Sequence, residues 1–364
     1  QRNLEEKLEK VLGSRMKSGQ GIDEQADFHD RIGAHNLAAL WVARRGIDLT
    51  KPNSPAVAAR WHYDGLRGDL TEAGHIVTAE EAFRRVLVLE NPAYPGEMRV
   101  TNTLYAGLQL VLPGEIAPCH RHSQTAIRFV IEGTGAYTSV DGERTWLHPG
   151  DFVITPNWSW HDHTNEGKMP VVWLDVLDTP LVDFLASVFR ENYPAPQQQI
   201  SRPDGNSNAR YGAGLLPVGY QSKSLNSPVF SYPYAETRAA LEALREANKW
   251  DDCHGLKMQY INPATGDHAT PTMAAFLQLL PAGFKGVLHR TTESTIYCVV
   301  EGHGRTIIDD QTMEWGPRDL IVIPGWQGYR HEAVKEAVLF SVSDQPIQTK
   351  LGLWREERPG DPAA

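Results

Sequence analysis

The chain repeats itself, and this constrains its fold more than any other feature. Residues 103–110 read TLYAGLQL and residues 272–279 read TMAAFLQL; residues 129–135 read FVIEGTG and residues 298–304 read CVVEGHG. Thr103 recurs at Thr272 and Glu132 at Glu301, an offset of 169 residues in both cases. A third block, WLHPGDFVITP (146–156), recurs as WGPRDLIVIP (315–324), with Asp151 and Asp319 168 residues apart. Three blocks in one order, at nearly one offset, require two similar units. VITP, VVWLDVL, TIYCVV and LIVIPG are short β-branched runs broken by Gly, Pro and Asp-Gly. Both units are therefore predicted to be β-rich, as barrels or sandwiches.

The flanks read as helix and linker. LEEKLEKVL, HNLAALWVARR and AEEAFRRVLVLE carry helical periodicity within residues 1–95, and Thr78-Ala-Glu-Glu81 is a capping box before the last of them. PLVDFLASVFREN (180–192) and ETRAALEALREA (236–247) read as helices, and residues 194–236, rich in Pro, Gly, Ser, Asn and Gln, as a long linker. The expected organisation is a helical arm over 1–95, a first β unit over 96–180, helix and linker over 181–254, a second β unit over 255–346 and a tail over 347–364.

Composition narrows the function. Hydrophobic residues make up 41% and charged residues 22% of 364, enough apolar content for a packed core. A net charge of −10 and a pI of 5.8 argue against nucleic acid as a partner, which needs a basic face. No apolar run approaches the roughly 18 residues of a membrane span, and the charged first segment has no apolar core of a secretory signal. Three Cys without C-x-x-C spacing give no disulfide framework, so a reducing, cytoplasmic setting is expected.

The chemical signal lies in the first unit: Gly114-x5-His120-Arg-His122, then Gly133, then Gly150-x5-Pro156-x4-His161-x3-Asn165. On a strand, residues i and i+2 share a face, so His120 and His122 point the same way. A third imidazole, His161, from a later strand completes three ligands on one side of a metal, leaving positions open for substrate and dioxygen. A lone His is most often a satisfied core residue; three at these spacings, flanked by Gly and Pro turns, are not. The pattern resembles the two signature motifs of the cupin superfamily, G-x5-H-x-H-x(3,4)-E-x6-G and G-x5-P-x-G-x2-H-x3-N. It departs twice. Trp158 stands where the motif has Gly, and Ala126 where it has a Glu ligand. A three-His site results, and its metal keeps its full charge for an anionic chelating substrate. In the second unit His289 aligns with His120, but Thr291 replaces His122 and Tyr329 falls at the His161 position, with His331 two residues later. That unit reads as a structural or dimerising shell without a metal site.

Strand parity extends the site. Arg128 shares a face with Ala126, and a buried Arg needs an anion: a substrate carboxylate held bidentate, or an internal acid such as Asp175. His163 shares a face with His161 and suits either acid–base work or a structural role. Tyr105, Gly107 and Gln109 share one face, Gly107 leaving room for a ring and Tyr105 forming a wall, with simple cross-strand packing as the plainer reading. Cys119 has the opposite parity to the histidines; Cys253 and Cys298 read as small buried apolar groups.

Beyond the motifs, CHRHSQTAIRFVIEG, PNWSWHDH, the helical arm and the degenerate second unit resemble the gentisate 1,2-dioxygenase family, bicupin ring-cleaving dioxygenases that include salicylate-type enzymes. The likeness covers nearly the whole chain. It implies a mainly β bicupin fold and Fe(II) on His120, His122 and His161. It implies a small aromatic hydroxy acid and O2 as substrates, and a homotetramer. Substrate contacts are implied at positions matching Arg84, Gln109, Arg128, His163 and Asp175; Arg84 comes from the resemblance alone. The implied reaction inserts both oxygen atoms between the carboxyl- and hydroxyl-bearing carbons of a 2-hydroxybenzoate such as gentisate, salicylate or 1-hydroxy-2-naphthoate, with Arg128 orienting the carboxylate and His163 and Asp175 managing protons. Competing readings fare worse. A three-His thiol dioxygenase would be about half this length, a manganese oxalate decarboxylase would keep the Glu that Ala126 replaces, and a non-catalytic storage bicupin would have no reason to keep three histidines.

Overall fold

The computed structural model describes residues 20–43, 49–222, 224–247 and 250–360. The helix expected over LEEKLEKVL and the end of HNLAALWVARR lie outside the described residues. The chain divides into two compact units, residues 1–53 and 54–364. In the first, a helix Gln20–Gly33 precedes a short helical turn Leu40–Ala43, and Phe28 stacks on Trp41 with ring centroids 6.2 Å apart.

Everything else belongs to the second unit. Its strands are, in chain order, β1 (Ala59–Trp61), β2 (Val86–Val88), β3 (Tyr105–Val111), β4 (Ile116–His122), β5 (Ala126–Glu132), β6 (Ala136–Val140), β7 (Glu143–Trp146), β8 (Phe152–Thr155), β9 (His161–Asn165), β10 (Val171–Leu177), β11 (Arg190–Asn192) and β12 (Ser231–Tyr232). After these come β13 (Leu256–Gln259), β14 (Ala274–Leu280), β15 (Arg290–Thr291), β16 (Thr295–Glu301), β17 (Gly304–Ile308), β18 (Gln311–Trp315), β19 (Leu320–Ile323), β20 (Tyr329–Ala333), β21 (Ala337–Ser343) and β22 (Glu356–Glu357). The first repeat builds a six-stranded sheet, β12-β8-β5-β10-β3-β2, and a five-stranded sheet, β11-β4-β9-β6-β7. The second builds a six-stranded sheet, β1-β19-β16-β21-β14-β13, and a three-stranded sheet, β18-β17-β20, with β15 paired to β22.

The repeats exchange strands. β1 precedes the first repeat yet pairs with β19 of the second, and β12 precedes the second yet pairs with β8 of the first. The helices that follow them begin alike. The Tyr63 amide, opening Tyr63–Ile76, donates to Asp319 Oδ1 at 3.0 Å; the Tyr234 amide, opening Tyr234–Ala247, donates to Asp151 Oδ1 at 2.9 Å. The repeat is therefore longer than its sequence blocks, and its flanking pieces are swapped.

Apolar packing explains the layers. Val111, Val130, Val153 and Trp173 fill the inside of the first repeat, and Tyr297, Val299, Ile321 and Leu339 the inside of the second. The alternate residues, such as Leu108, Phe129 and Leu174 against Leu277, Cys298 and Phe340, join in the largest core, where the two six-stranded sheets meet; Phe129 stacks on Phe340 at 4.1 Å. A strand such as VVWLDVL, buried on both faces, thus reads as a continuous apolar run.

Four sequence expectations need correction. The helix of AEEAFRRVLVLE stops at Ala82; its capping box forms, but Phe83 turns at φ +55° and VLV becomes β2 against β3. The segment read as a wholly helical arm thus supplies an edge strand to each six-stranded sheet. The helix expected over 180–192 covers only Thr179–Phe184, and Arg190–Asn192 pairs with β4. The linker over 194–236 contains β12 and a short helix, Asn206–Tyr211. For β1, β2, β11 and β12 a neighbouring sheet edge outweighs the local signal.

Candidate metal centre and active site

His120 and His122 project from β4, and His161 opens β9, directly opposite His120 in the ladder. The three rings converge, with centroid separations of 4.3, 4.8 and 5.2 Å, and their ligating atoms lie within 4.8 Å of one another. Nδ1–H of His122 donates to the Gln124 carbonyl at 2.9 Å and Nδ1–H of His161 to the Ser159 carbonyl at 3.0 Å, while His120 Nδ1 lies 3.2 Å from the Pro118 carbonyl and 2.7 Å from Arg84 Nη2. For His122 and His161 this fixes the tautomer that leaves the Nε2 lone pair free, the arrangement a metal-ligating imidazole requires. Burial holds the rings neutral, pushing His120 down to about 2, His122 to about 4 and His161 well below the usual imidazole range. Ala126 is fully buried at the place a carboxylate ligand would occupy. The donor set fits a divalent transition metal on three neutral nitrogens.

A cavity of about 490 Å³ opens onto this triad, lined also by Arg84, Tyr105, Gln109, Arg128 and Asp175. Tyr105 and Gln109 are therefore on the inner face. Arg128 is buried, with its Nε 3.2 Å from Asp175 Oδ1 and its Nη1 donating to Thr155 Oγ1. The Arg128–Asp175 contact is electrostatic more than a hydrogen bond, since neither of those two atoms has an aligned partner. Arg84 sits in the turn after the short helix rather than on it; its Nη2 donates to the Pro118 carbonyl at 2.8 Å, 2.7 Å from His120 Nδ1. Burial and the neighbouring Arg128 push its guanidinium down to about 9, so it remains charged at neutrality. Two crowded buried guanidinium groups beside Asp175 leave the inner end of the cavity short of negative charge, while Arg99, Glu97 and Asp183 also line it.

His163 is fully buried and does not line the cavity. Its Nδ1 hydrogen-bonds Thr138 Oγ1 at 2.9 Å, and its ring lies between those of His161 and Trp173. Gly107 is on the inner face, but the space above it is already filled. A Cβ there would lie 2.5 Å from Val86 Cγ1 and 3.1 Å from the Tyr105 hydroxyl. In and behind the cavity wall, Gln109 Nε2 and His163 Nε2 are buried without hydrogen-bond partners among the described residues, and Arg128 Nε and Asp175 Oδ1 have only each other, at 3.2 Å. Such a cluster of orphans is what a site built for a polar ligand looks like without it. Sequence reading missed Val86, brought in by its register opposite Gln109, and the mouth residues Met98, Asp183 and Val188. The first was hidden by the misread helix; the others sit in connections with no periodic signal.

The second repeat keeps the shell. His289 faces Tyr329 across a bridge, and Tyr329 hydroxyl meets Tyr297 hydroxyl at 2.9 Å. His331 bonds Thr306 Oγ1 at 2.8 Å, just as His163 bonds Thr138. Tyr329 thus takes the place of His161, and His331 that of His163. All three cysteines are buried and free.

Two β-sheet repeats, one carrying three converging imidazoles over a cavity, define a cupin-type metalloprotein, and a cupin domain model matches residues 107–177. Gentisate 1,2-dioxygenase 1 of Aquipseudomonas alcaligenes is 51% identical over 335 residues, 92% of this chain and 96% of its own. 1-Hydroxy-2-naphthoate 1,2-dioxygenase of Nocardioides sp. is 33% identical over 91% of this chain and 87% of its own. The crystal structure of salicylate 1,2-dioxygenase from Pseudoaminobacter salicylatoxidans with gentisate superimposes with a TM-score of 0.87 at 28% identity, covering 93% of this chain and 94% of that one. The chain belongs to the gentisate 1,2-dioxygenase family of bicupin enzymes. It is an aromatic ring-cleaving dioxygenase with a three-histidine metal site.

Proposed function

We propose that the first cupin unit holds one Fe(II) on His120, His122 and His161 and cleaves a 2-hydroxybenzoate of the gentisate type between its carboxyl- and hydroxyl-bearing carbons. The observation that carries this is the anchored histidine triad opening into a cavity where Arg84 and Arg128 stand with one internal acid between them. When bound, the metal supplies a Lewis-acidic redox centre that holds hydroxy acid and dioxygen together. Arg128 and Arg84 take the substrate carboxylate and set the ring's orientation. Asp175 keeps Arg128 in place. Gln109 offers its unpaired amide N–H groups to substrate oxygens. Tyr105, whose phenol burial keeps protonated, donates a hydrogen bond from the cavity wall. His163, held by Thr138 behind the cavity wall, packs its ring against His161 and holds that ligand's orientation.

Three free cysteines suit a reducing, cytoplasmic compartment. We further propose a homotetramer, in which the exposed Phe184, Leu185, Val188 and Phe189 would be covered; sedimentation velocity tests it. For the activity, the chain is loaded anaerobically with Fe(II) and oxygen uptake is followed with gentisate, salicylate and 1-hydroxy-2-naphthoate. Expected are one tightly held iron per chain, uptake of one O2 per substrate, and loss of metal and turnover in His120→Ala, His122→Ala or His161→Ala but not in His289→Ala. Two tightly held irons per chain, or no uptake with any of the three acids, would overturn it.

A further inference from the structure

The second cupin unit lacks the metal ligands, yet it is not filled in. A second cavity of about 490 Å³ opens at its mouth, at the place corresponding to the first. Register makes the correspondence explicit. Gln278 stands for Gln109; Lys257, opposite Gln278, takes the position of Val86, opposite Gln109; Phe276 takes that of Gly107. A shell kept only for packing would close such a space, since protein interiors pack to crystal-like density. Here the opposite has happened: a cation and an acid line it where the first unit has Val86 and Gln124.

The charges are unevenly matched. Arg358 is engaged by Asp251 at 2.7 Å and by Glu356 at 3.0 Å, and Glu356 also faces His254 at 3.6 Å. The Lys257 ammonium makes no hydrogen bond or ion pair among the described residues; it lies over the Phe276 ring, 4.4 Å from its centroid. Glu293 is 6% exposed. One of its oxygens accepts from Trp354 Nε1 at 2.9 Å, and the other has no hydrogen-bond partner among the described residues. Outside the lining, at positions matching first-site residues, Gln278 Oε1, His331 Nε2 and Ser341 Oγ are likewise buried without hydrogen-bond partners among the described residues. Leu256, Met258, Phe276 and Trp354 provide apolar walls.

We propose that this cavity is a second binding site, for an aromatic monocarboxylate, with the carboxylate between Lys257 and Glu293 and the ring against Phe276 and Trp354. Lys257 has N–H donors that no acceptor among the described residues takes, enough for one carboxylate, whereas a dianion would add further charge beside Asp251, Glu293 and Glu356. The apolar walls call for a flat hydrocarbon body, and the volume is that of a small-molecule pocket. Glu293 can sit beside a carboxylate only as its protonated, donating form. Burial, with Asp344 and Glu356 acting the same way and Lys257 and the Trp354 hydrogen bond opposing, pushes it up to about 7. Binding therefore takes up a proton on Glu293 and weakens as pH rises through 7.

The test is equilibrium binding of benzoate to the metal-loaded, full-length chain; benzoate has no ring hydroxyl and so is not a substrate of the proposed cleavage. The expected result is one benzoate per chain that survives Arg128→Lys, disappears in Lys257→Met and is retained in Lys257→Arg. Glu293→Gln should keep this site but flatten its pH dependence. Lys257→Met should leave turnover of the hydroxybenzoate within twofold of the parent chain and should not lower its melting temperature, because it removes an unpaired cation. If that variant does not fold, Phe276→Trp, which fills the cavity, should abolish the same site. No benzoate site, loss of all bound benzoate with Arg128→Lys, or unchanged binding in both Lys257→Met and Phe276→Trp would overturn the proposal. Ring-cleaving turnover is read separately, so the two readings fall independently.

Discussion

Arg128 and Asp175 face each other, both almost fully buried, across adjacent strands β5 and β10. Removing one partner leaves the other charge buried, a loss of about 3–5 kcal/mol. Arg128→Ala should therefore destabilise the chain by roughly that amount, and Arg128→Ala with Asp175→Ala by less than the sum of the singles, measured by urea unfolding. Arg128→Lys should largely keep stability while kcat/KM for the hydroxy acid falls at least about tenfold, since a point cation cannot grip a carboxylate with two parallel N–H bonds. A purely structural Arg128 would leave kcat/KM unchanged in the lysine variant. His289 offers a pH test. Burial pushes its imidazole down to about 3, while in the unfolded chain it takes up a proton at about 6.5. Between those values only the unfolded state is protonated, so stability is full above about pH 6.5 and falls as pH drops. His289→Gln should remove up to about 2 kcal/mol of the acid-induced loss between pH 7 and pH 5; equal losses in both chains would show that His289 finds a proton-sharing partner. At this scale the sequence was most informative about His120, His122 and His161. Their common face follows from strand spacing and from one ladder pairing. Arg84 was invisible to parity because it lies in no strand, and the crowding over Gly107 depends on Val86 arriving from a segment that reads as helix.

Turns decide where the strands end, and the glycines at two of them are under strict geometric demand. Gly133, between β5 and β6, has φ +90°, and a Cβ there would lie 2.2 Å from the Pro170 carbonyl; its repeat mate Gly302 has φ +84° and meets the Glu336 carbonyl at 2.1 Å. Gly114 also has positive φ, +80°, but nothing lies within 4 Å. Gly114→Ala should cost about 1–2 kcal/mol from backbone conformation alone. Gly133→Ala and Gly302→Ala should cost clearly more, because the obstacle is another strand's backbone and cannot swing away. Thermal melts of the three variants decide it, and equal shifts would mean the β5–β6 turn relaxes. The third motif position behaves differently. Trp158 stands where the cupin pattern has Gly and still adopts φ +63°; Trp326 does the same at +68°. Each carries an arginine over its ring, Arg121 at 4.5 Å and Arg290 at 4.6 Å, so packing and cation–π attraction offset the backbone cost. Local signals gave the strands and turns well, since β-branched runs and Gly or Pro breaks act over a few residues. They failed for VLV and REN, whose strand state comes from a neighbouring sheet edge far away in the chain.

The two repeats hold each other through reciprocal contacts, and these reach the level of single hydrogen bonds. Asp178 accepts from the Thr125 amide of its own repeat at 2.9 Å and from Thr272 Oγ1 of the other at 2.6 Å; Asp344 accepts from the Ser294 amide at 2.9 Å and from Thr103 Oγ1 at 2.7 Å. Thr103 and Thr272 are the residues at which the sequence repeat is first seen. Both aspartates are 3% exposed, and burial pushes both carboxyls up while the hydroxyl and amide donors oppose it. The sequence showed the repeat but not the swap of β1 and β12, because nothing in a strand's own residues says which copy it will pair with. The exchange makes a mechanical expectation. If the repeats act as one folding unit, a lock broken on the catalytic side and a lock broken on the other side are the same defect. Thr103→Val and Thr272→Val each leave one buried carboxylate oxygen without its donor, at a cost of about 1–3 kcal/mol. The two variants should lose equal stability within about 0.5 kcal/mol, each in a single unfolding transition, and both should keep metal content and turnover. Urea unfolding followed by tryptophan fluorescence and by metal release measures this. Two separate transitions, or a silent Thr272→Val beside a costly Thr103→Val, would show that the cupin units fold as independent bodies and that the swapped strands only tether them.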